Sequence, residues 1–455
     1  MKFSTVNPAT DKKLSDYEYI TSDQLEAVIE KAHQGFLEWK NKSLTDRQGL
    51  LKKLAQNLGK RRDELARMMA QEMGKPISDA TAEIKKCEAT AVYYSEIELS
   101  SLQLHEIKTS FKKSYVAPCP TGIIFGIMPW NFPIWQIMRF TVPTLLLGNV
   151  VLVKPSDQTA GSSLILDEVF AQTFGNIQLF KILLLQNELA PSVISDRRVT
   201  GVSFTGSTKT GRLIASQAGQ AIKKTVLELG GSDASLILPD ADLAKAAQLC
   251  VKSRLQNNGQ SCVSSKRFFV HRPQLDTFLT HFTKAIETFQ VGDPLDIETK
   301  LGPLAQKKFK ESFEEEWEHL APFFERSWKM EGEIFSKGAY FAPRWAVMKE
   351  HSPRTISVEM FCPAAQIFPY DTIEQAVQML NSSDYGLGAS IYAGDIEKAQ
   401  TLAVNSIDSG MVTINDLVRS DPALPFGGVK DSGYGRELSS HGIFEFCNFK
   451  SVGIS

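Results

Sequence analysis

Apolar residues recur at helical spacing through the first hundred positions. Thr21 with Gln24 forms a capping-box pattern, and Leu25, Val28, Ile29, Ala32 and Phe36 follow along one face. Thr45 with Gln48 repeats the start signal ahead of Leu50, Leu51, Leu54 and Leu58. Gly74-Lys-Pro76 predicts the end of a third helix, and a fourth runs towards Tyr94. From about Thr121 the period changes. Short apolar runs at Ile123–Met128, Val150–Val153, Phe180–Leu185, Val199–Phe204 and Thr225–Leu229 alternate with helical stretches. That order predicts an α/β fold with a parallel sheet covered by helices on both faces. A second alternating block runs from Ala234–Leu238 to about Gly410, with helices over Asp242–Gln256 and Leu275–Phe289. Lys307–Glu318 mixes Lys and Glu and reads as a solvated helix face. Leu102–Val116 alternates weakly, as a hairpin would, and Phe444–Gly453 reads as a terminal strand. No internal repeat breaks this plan.

Composition narrows the classes. The 455 residues carry a formal net charge of −2. That offers no electrostatic footprint for nucleic acid or an anionic membrane. Met1–Asp16 lacks a secretory pattern, and the apolar stretch Phe140–Val153 is too short and broken to span a bilayer, so it is expected in the core. Six scattered cysteines without a C-x-x-C pair argue against a disulfide framework and a zinc site, and no metal is expected. The expected location is the cytoplasm.

Four local patterns bear on chemistry. Asn257-Asn-Gly-Gln-Ser-Cys262 places a cysteine after a small polar loop, where exposure and nearby N–H donors favour a nucleophilic thiolate. Taken alone, Cys262 fits a buried inert thiol as well. Glu228 in Leu227-Glu-Leu-Gly-Gly231 ends an apolar strand, where a half-dry carboxylate can serve as a general base or simply face solvent. The two glycines permit close approach of cofactor or substrate. Asn131 in Pro129-Trp-Asn-Phe-Pro133 follows a strand and suits either an oxyanion donor or a turn. Phe204-Thr-Gly-Ser-Thr208 opens a helix whose N–H groups can meet phosphate.

In this order, these patterns resemble the aldehyde dehydrogenase superfamily. The resemblance runs from Asn7-Pro8-Ala9-Thr10 to the last strand, through Val153-Lys-Pro-Ser156, Glu359-Met-Phe-Cys-Pro363, Pro425-Phe-Gly-Gly428 and Ser432-Gly-Tyr-Gly-Arg-Glu437. It implies a Rossmann-type cofactor domain (1–100 and 118–228), an α/β catalytic domain (229–428), and bridging or oligomerising strands (101–117 and 440–455). It implies Cys262 as nucleophile, Glu228 as general base, and Asn131 with the Cys262 N–H as oxyanion hole. Trp130, Lys154, Ser156, Asp157, Gly206, Ser207, Glu359 and Phe361 are the implied cofactor contacts. An acidic residue at 157 points to NAD⁺, with NADP⁺ as the alternative because aspartate is short. The small-molecule substrate is an aldehyde, and the resemblance also implies a homodimer or homotetramer.

The substrate is narrowed by Arg139, slightly over two helical turns beyond Asn131, where it could pair with a carboxylate. Leu229-Gly-Gly-Ser-Asp233 and Arg419-Ser-Asp-Pro422 resemble the succinate-semialdehyde dehydrogenase branch, which adds Ser420 to the carboxylate site. Trp135 is a candidate pocket wall. The expected reaction is oxidation of succinate semialdehyde to succinate. The alternatives are a medium-chain or amino aldehyde, a non-catalytic cofactor-binding relative, or a thiol-redox protein. Three positions depart from the family: Cys362 stands for a glycine, Phe140 for a lysine that some relatives use in proton relay with the residue at Glu437, and Asp431 for a basic residue. Phe323–Ser336 also fits the family poorly.

Overall fold

The computed structural model describes residues 1–455 except Leu99, Gln103, Asn176, Glu350 and Ser357. Four helices open the chain: α1 (Ser22–Trp39), α2 (Leu44–Lys60), α3 (Arg62–Met73) and α4 (Ile77–Glu96). The capping box of Thr21 and Gln24 is present. The second start signal lies two residues earlier than expected. Ser43, not Thr45, caps α2, accepting from the Asp46 N–H at 3.1 Å and donating to its carboxylate at 2.7 Å. That reciprocal pair satisfies the helix end better than Thr45 with Gln48. Gly74 ends α3 in the left-handed region, as anticipated.

The first sheet has six strands. Their order is Gly433–Tyr434, Lys224–Glu228, Val199–Thr205, Ile123–Ile127, Val150–Lys154 and Phe180–Ile182. The five longer-range crossover strands are parallel, and only the Gly433–Tyr434 edge is antiparallel. The chain builds outwards from Ile123–Ile127 in one direction, then returns to its other side with Val199–Thr205. The crevice at that reversal is where such sheets bind ligands. Helix α5 (Trp135–Leu147) follows the Ile123–Ile127 strand and is buried along its whole length. The Phe140–Val153 stretch is core, as its composition requires.

The second sheet has seven strands, ordered Phe324–Lys329, Arg344–Met348, Ala364–Tyr370, Arg267–His271, Ala234–Ile237, Gly388–Tyr392 and Met411–Ile414. The segment that fits the family poorly supplies its antiparallel edge, Phe324–Lys329. A third sheet joins His105–Glu106, Lys113–Pro120 and Cys447–Ile454. The expected hairpin is therefore a three-stranded sheet, with Gln103 outside the described residues. The terminal strand starts later than Phe444, because Ser439–Phe444 closes a short helix first. Among the described residues, no helix is long and apolar enough to cross a membrane.

Candidate active site

A cavity of about 250 Å³ lies over the reversal point of the first sheet, between it and the second. Three strand ends of the first sheet reach it with Pro129–Asn131, Thr205–Ser207 and Leu229–Gly230. The facing wall carries Cys262, Glu359 and Phe361. Phe309 and Phe313 close it. These two were not anticipated, because the Lys307–Leu320 helix reads as charged. They stand four residues apart on its one apolar stripe, which is the signal that could have found them. Phe309 stacks on Trp130 with centroids 5.1 Å apart.

The loop before Cys262 is held in an unusual backbone. Asn257, Asn258 and Gly259 are all left-handed, with φ of 52°, 58° and 75°. Asn and Gly tolerate that region best, which explains their choice here. A side chain on Gly259 would meet the Cys362 carbonyl carbon at 2.5 Å. Asn258 fastens the loop, donating to the carbonyls of Gly74 and Pro303 at 2.8 Å each and accepting from Gly302 N–H at 2.7 Å. The Cys262 carbonyl accepts from Lys266 Nζ at 2.5 Å. Cys362 is buried in the core behind this loop and leaves Glu359 and Phe361 on the cavity wall.

The Cys262 thiol is half-exposed and opens on the cavity, while the loop before it is buried. Its low-dielectric surroundings push it up to about 11, and the charges of Arg139 and Lys266 offset only part of that.

Asn131 lines the cavity with its amide held at both ends. Its Oδ1 accepts from Gln136 Nε2 at 3.1 Å, which fixes the amide, and its Nδ2 points to Gln260 O at 3.1 Å. Gln136 lines the same cavity and was not anticipated. Glu83 sets the start of α5, accepting from the N–H groups of Ile134 and Trp135 at 3.0 and 2.9 Å while Lys75 pairs with its other oxygen.

Glu228 is 2 % exposed and lies behind the cavity wall. Neither carboxylate oxygen has a hydrogen-bond partner. Burial holds it well above the usual carboxylate range, Arg139 opposing and Glu437 reinforcing the shift. The adjoining glycines serve the protein itself: a Cβ on Gly230 would meet Glu359 Oε2 at 2.6 Å, and one on Gly231 would meet Cys262 O at 2.9 Å. Glu359 Oε1 accepts from Gly231 N–H at 3.0 Å.

The remaining expected contacts divide. Trp130, Gly206, Ser207, Glu359 and Phe361 all face the cavity. Ser207 caps the Thr208–Gln220 helix, whose first turn faces the same crevice, but the Gly206 N–H is occupied by Glu228 O at 3.0 Å. Lys154, Ser156 and Asp157 lie one strand further along. Burial lowers the Lys154 ammonium, and the Tyr19 hydroxyl donates to Asp157 Oδ2 at 2.6 Å. The aromatic slot, the helix start and Lys154 fit a nicotinamide dinucleotide, whose flat ring, diphosphate and ribose make those three demands.

Arg139, Trp135 and Ser420 do not line the cavity. Arg139 is buried in an ion pair with Glu437 and packs 4.1 Å from the Phe426 ring centroid. A guanidinium this deep needs a carboxylate partner. With Phe140 turned onto Gly126 in place of a lysine, Glu437 is available to Arg139. Arg139, one residue before Phe140, is therefore the cationic partner of Glu437. Asp431 pairs with Arg212 at 2.7 Å.

Residues 1–452 match the model of the aldehyde dehydrogenase family. The chain belongs to that family, and it is an NAD(P)-dependent oxidoreductase with the fold of these enzymes. It is 36% identical over 459 residues to succinate-semialdehyde dehydrogenase (NADP(+)) 1 of Mycobacterium tuberculosis (strain H37Rv), covering all of both chains. It is 37% identical over 457 residues, again over all of both, to the probable succinate-semialdehyde dehydrogenase (NADP(+)) of Synechocystis. Among solved structures, succinic semialdehyde dehydrogenase of Streptococcus pyogenes, in complex with NADP⁺, superposes with a TM-score of 0.94 at 33% identity over 99% of each chain.

Proposed function

We propose that this enzyme oxidises succinate semialdehyde to succinate with NADP⁺ as the preferred cofactor. The observation that carries the chemistry is the facing pair Cys262 and Asn131 in one cavity, with Glu228 buried beside it. The substrate rests on relatives of that printed activity, similar over the whole chain.

The cofactor, when bound, supplies the hydride acceptor. The chain's own residues do the rest. Cys262 Sγ gives up its proton to water and bonds to the aldehyde carbon, and the Asn131 amide donates to the oxygen as it gains charge. The acyl group is left on Cys262 as a thioester. Glu228 takes a proton from water, whose oxygen then displaces the thiolate and releases the acid. Its carboxylate must turn through the wall towards Cys262 to do so.

Among the residues lining the cavity, Glu359 alone is charged. That favours a second reading, oxidation of a neutral aldehyde. Comparing kcat/KM for succinate semialdehyde and butanal decides between them. A preference of tenfold or more for the acid substrate is expected, and parity would remove it.

For the cofactor, the NADP⁺-named relatives weigh against the NAD⁺ expected from Asp157. The Tyr19 hydrogen bond supports the change, since a phenol donating to Asp157 withdraws part of the charge that would repel a 2′-phosphate. Tyr19 stays protonated, its pKa being raised to about 12 by burial and by Asp157. Tyr19→Phe should raise KM for NADP⁺ about 3- to 10-fold and change KM for NAD⁺ less. Equal changes in both would separate Tyr19 from cofactor choice.

The third sheet is the surface we assign to self-association into a dimer or tetramer. Phe449 is exposed on it, and Phe111 in the connection between its first two strands. A monomer by light scattering at micromolar concentration would refute this.

A further inference from the structure

Arg139 is occupied by Glu437, yet a different cation stands beside it. Lys86, on α4, is half-buried, and its Nζ donates to Ser420 Oγ at 2.6 Å. The same ammonium lies 4.2 Å from the centroid of the Trp135 ring. Trp135 itself is 4 % exposed and opens α5 next to Gln136, which lines the cavity and holds Asn131. The Arg139 charge is felt at Cys262 on one side and at Lys86 on the other, so the two ends of this arrangement flank one guanidinium.

We propose that Lys86, with the Ser420 hydroxyl, binds the distal carboxylate of the substrate, with the Trp135 ring as the floor beneath it. This rests on the dicarboxylic-acid semialdehyde reading above and names the residue that would enforce it. The chemistry is that of an unspent cation. Among the described residues, Lys86 has no carboxylate in hydrogen-bond contact. Glu83, the nearest acid on its own helix, is committed to Lys75 and to the start of α5. Ser420 accepts from Lys86 and so keeps its own O–H to donate. A carboxylate arriving there gains two donors, one of them charged, over an aromatic face that already attracts the cation.

Four groups set the charge at Lys86: Arg139 from α5, Asp421 from the loop after Ser420, and Glu83 and Cys87 from α4. Burial first, and Arg139 second, lower the ammonium to about 8, with Cys87, Glu83 and Asp421 opposing. Deprotonation above that value removes the cation, so KM for a carboxylated aldehyde rises with pH there while KM for a neutral aldehyde does not follow.

The test compares Lys86→Met and Lys86→Arg with the wild type, using succinate semialdehyde and butanal. In Lys86→Met the ratio of kcat/KM values, acid substrate over neutral, should fall about 10- to 100-fold, through KM. Lys86→Arg should recover most of the ratio, and the alkaline rise in KM should disappear in both variants, since methionine carries no charge to lose and arginine keeps its charge throughout. A ratio unchanged in Lys86→Met overturns the assignment. Succinate as an inhibitor of butanal oxidation separates the two readings. If the wild type shows no preference for succinate semialdehyde, the substrate reading fails. The anion site then stands if Lys86→Met weakens succinate inhibition at least tenfold and falls if inhibition is unaltered. Circular dichroism and thermal midpoints confirm that both variants are folded.

Discussion

Glu228→Gln is expected to complete one turnover and then stall. In the proposed mechanism thioester formation uses Cys262 and Asn131, and both stay in place. Hydrolysis needs a base, and the amide cannot take a proton from water. A burst of reduced cofactor near one equivalent per site should precede a steady state slowed about 10²- to 10⁴-fold. The pH dependence adds a second signature. The Glu228 carboxyl is held well above its usual range by burial, so it is protonated at the low-pH end and becomes a base as pH rises. Wild-type kcat should climb with pH on that limb, and the climb should be missing from the burst-limited variant. Rapid-quench or stopped-flow absorbance at the reduced-cofactor band reads both. A variant that loses its burst along with its steady state would place Glu228 in acylation instead.

Asn131→Ala is the second large effect. The amide is clamped on both atoms, by Gln136 at its oxygen and by Gln260 O at its nitrogen. Such a fixed donor needs no reorganisation when charge develops on the aldehyde oxygen. Its loss should reduce kcat about 10²- to 10³-fold, roughly 3–4 kcal/mol. The loss should be the same for succinate semialdehyde and butanal, since both present the same carbonyl. Here the burst itself slows, in contrast to Glu228→Gln. Alkylation of Cys262 by iodoacetamide should persist, which separates a missing oxyanion donor from a collapsed loop. A strong dependence on the substrate's far end would contradict the assigned role.

The parts that sequence made legible are those fixed by neighbours along the chain. The run Val150–Val153 announces a buried parallel strand because four successive apolar residues have no solvent face to spare. Gly74 announces a helix end because its backbone needs φ of 77°. Asn257-Asn-Gly259 announces a small polar loop before Cys262, though its left-handed backbone appears only in the structure. What stayed hidden depends on residues far apart. Arg139 meets Glu437 across 298 positions, and no local spacing signals that the guanidinium is spent. The enclosure that raises the Cys262 thiol comes from walls contributed by several distant segments. Lys86 carries no local signal on α4, and only the fold brings Ser420 and Trp135 against it. Phe309 and Phe313 were outnumbered by charges in a window that averages both faces of a helix.

Asn258 has a bearing on how this enzyme ages. An asparagine followed by glycine is the dipeptide most prone to deamidate, since the small neighbour lets its backbone nitrogen attack the side-chain amide. In the folded protein both ends of that amide are engaged, with Gly74, Pro303 and Gly302 holding it away from that ring closure. The protection vanishes when the chain opens. Each excursion to the unfolded state therefore exposes the segment four residues before Cys262 to irreversible conversion to aspartate and isoaspartate. An aspartate there would retain the acceptor but lose the donor that grips Gly74 and Pro303. Stored or heated preparations should consequently lose activity with a covalent scar at this site, while molecules that never unfold keep both the amide and the thiol.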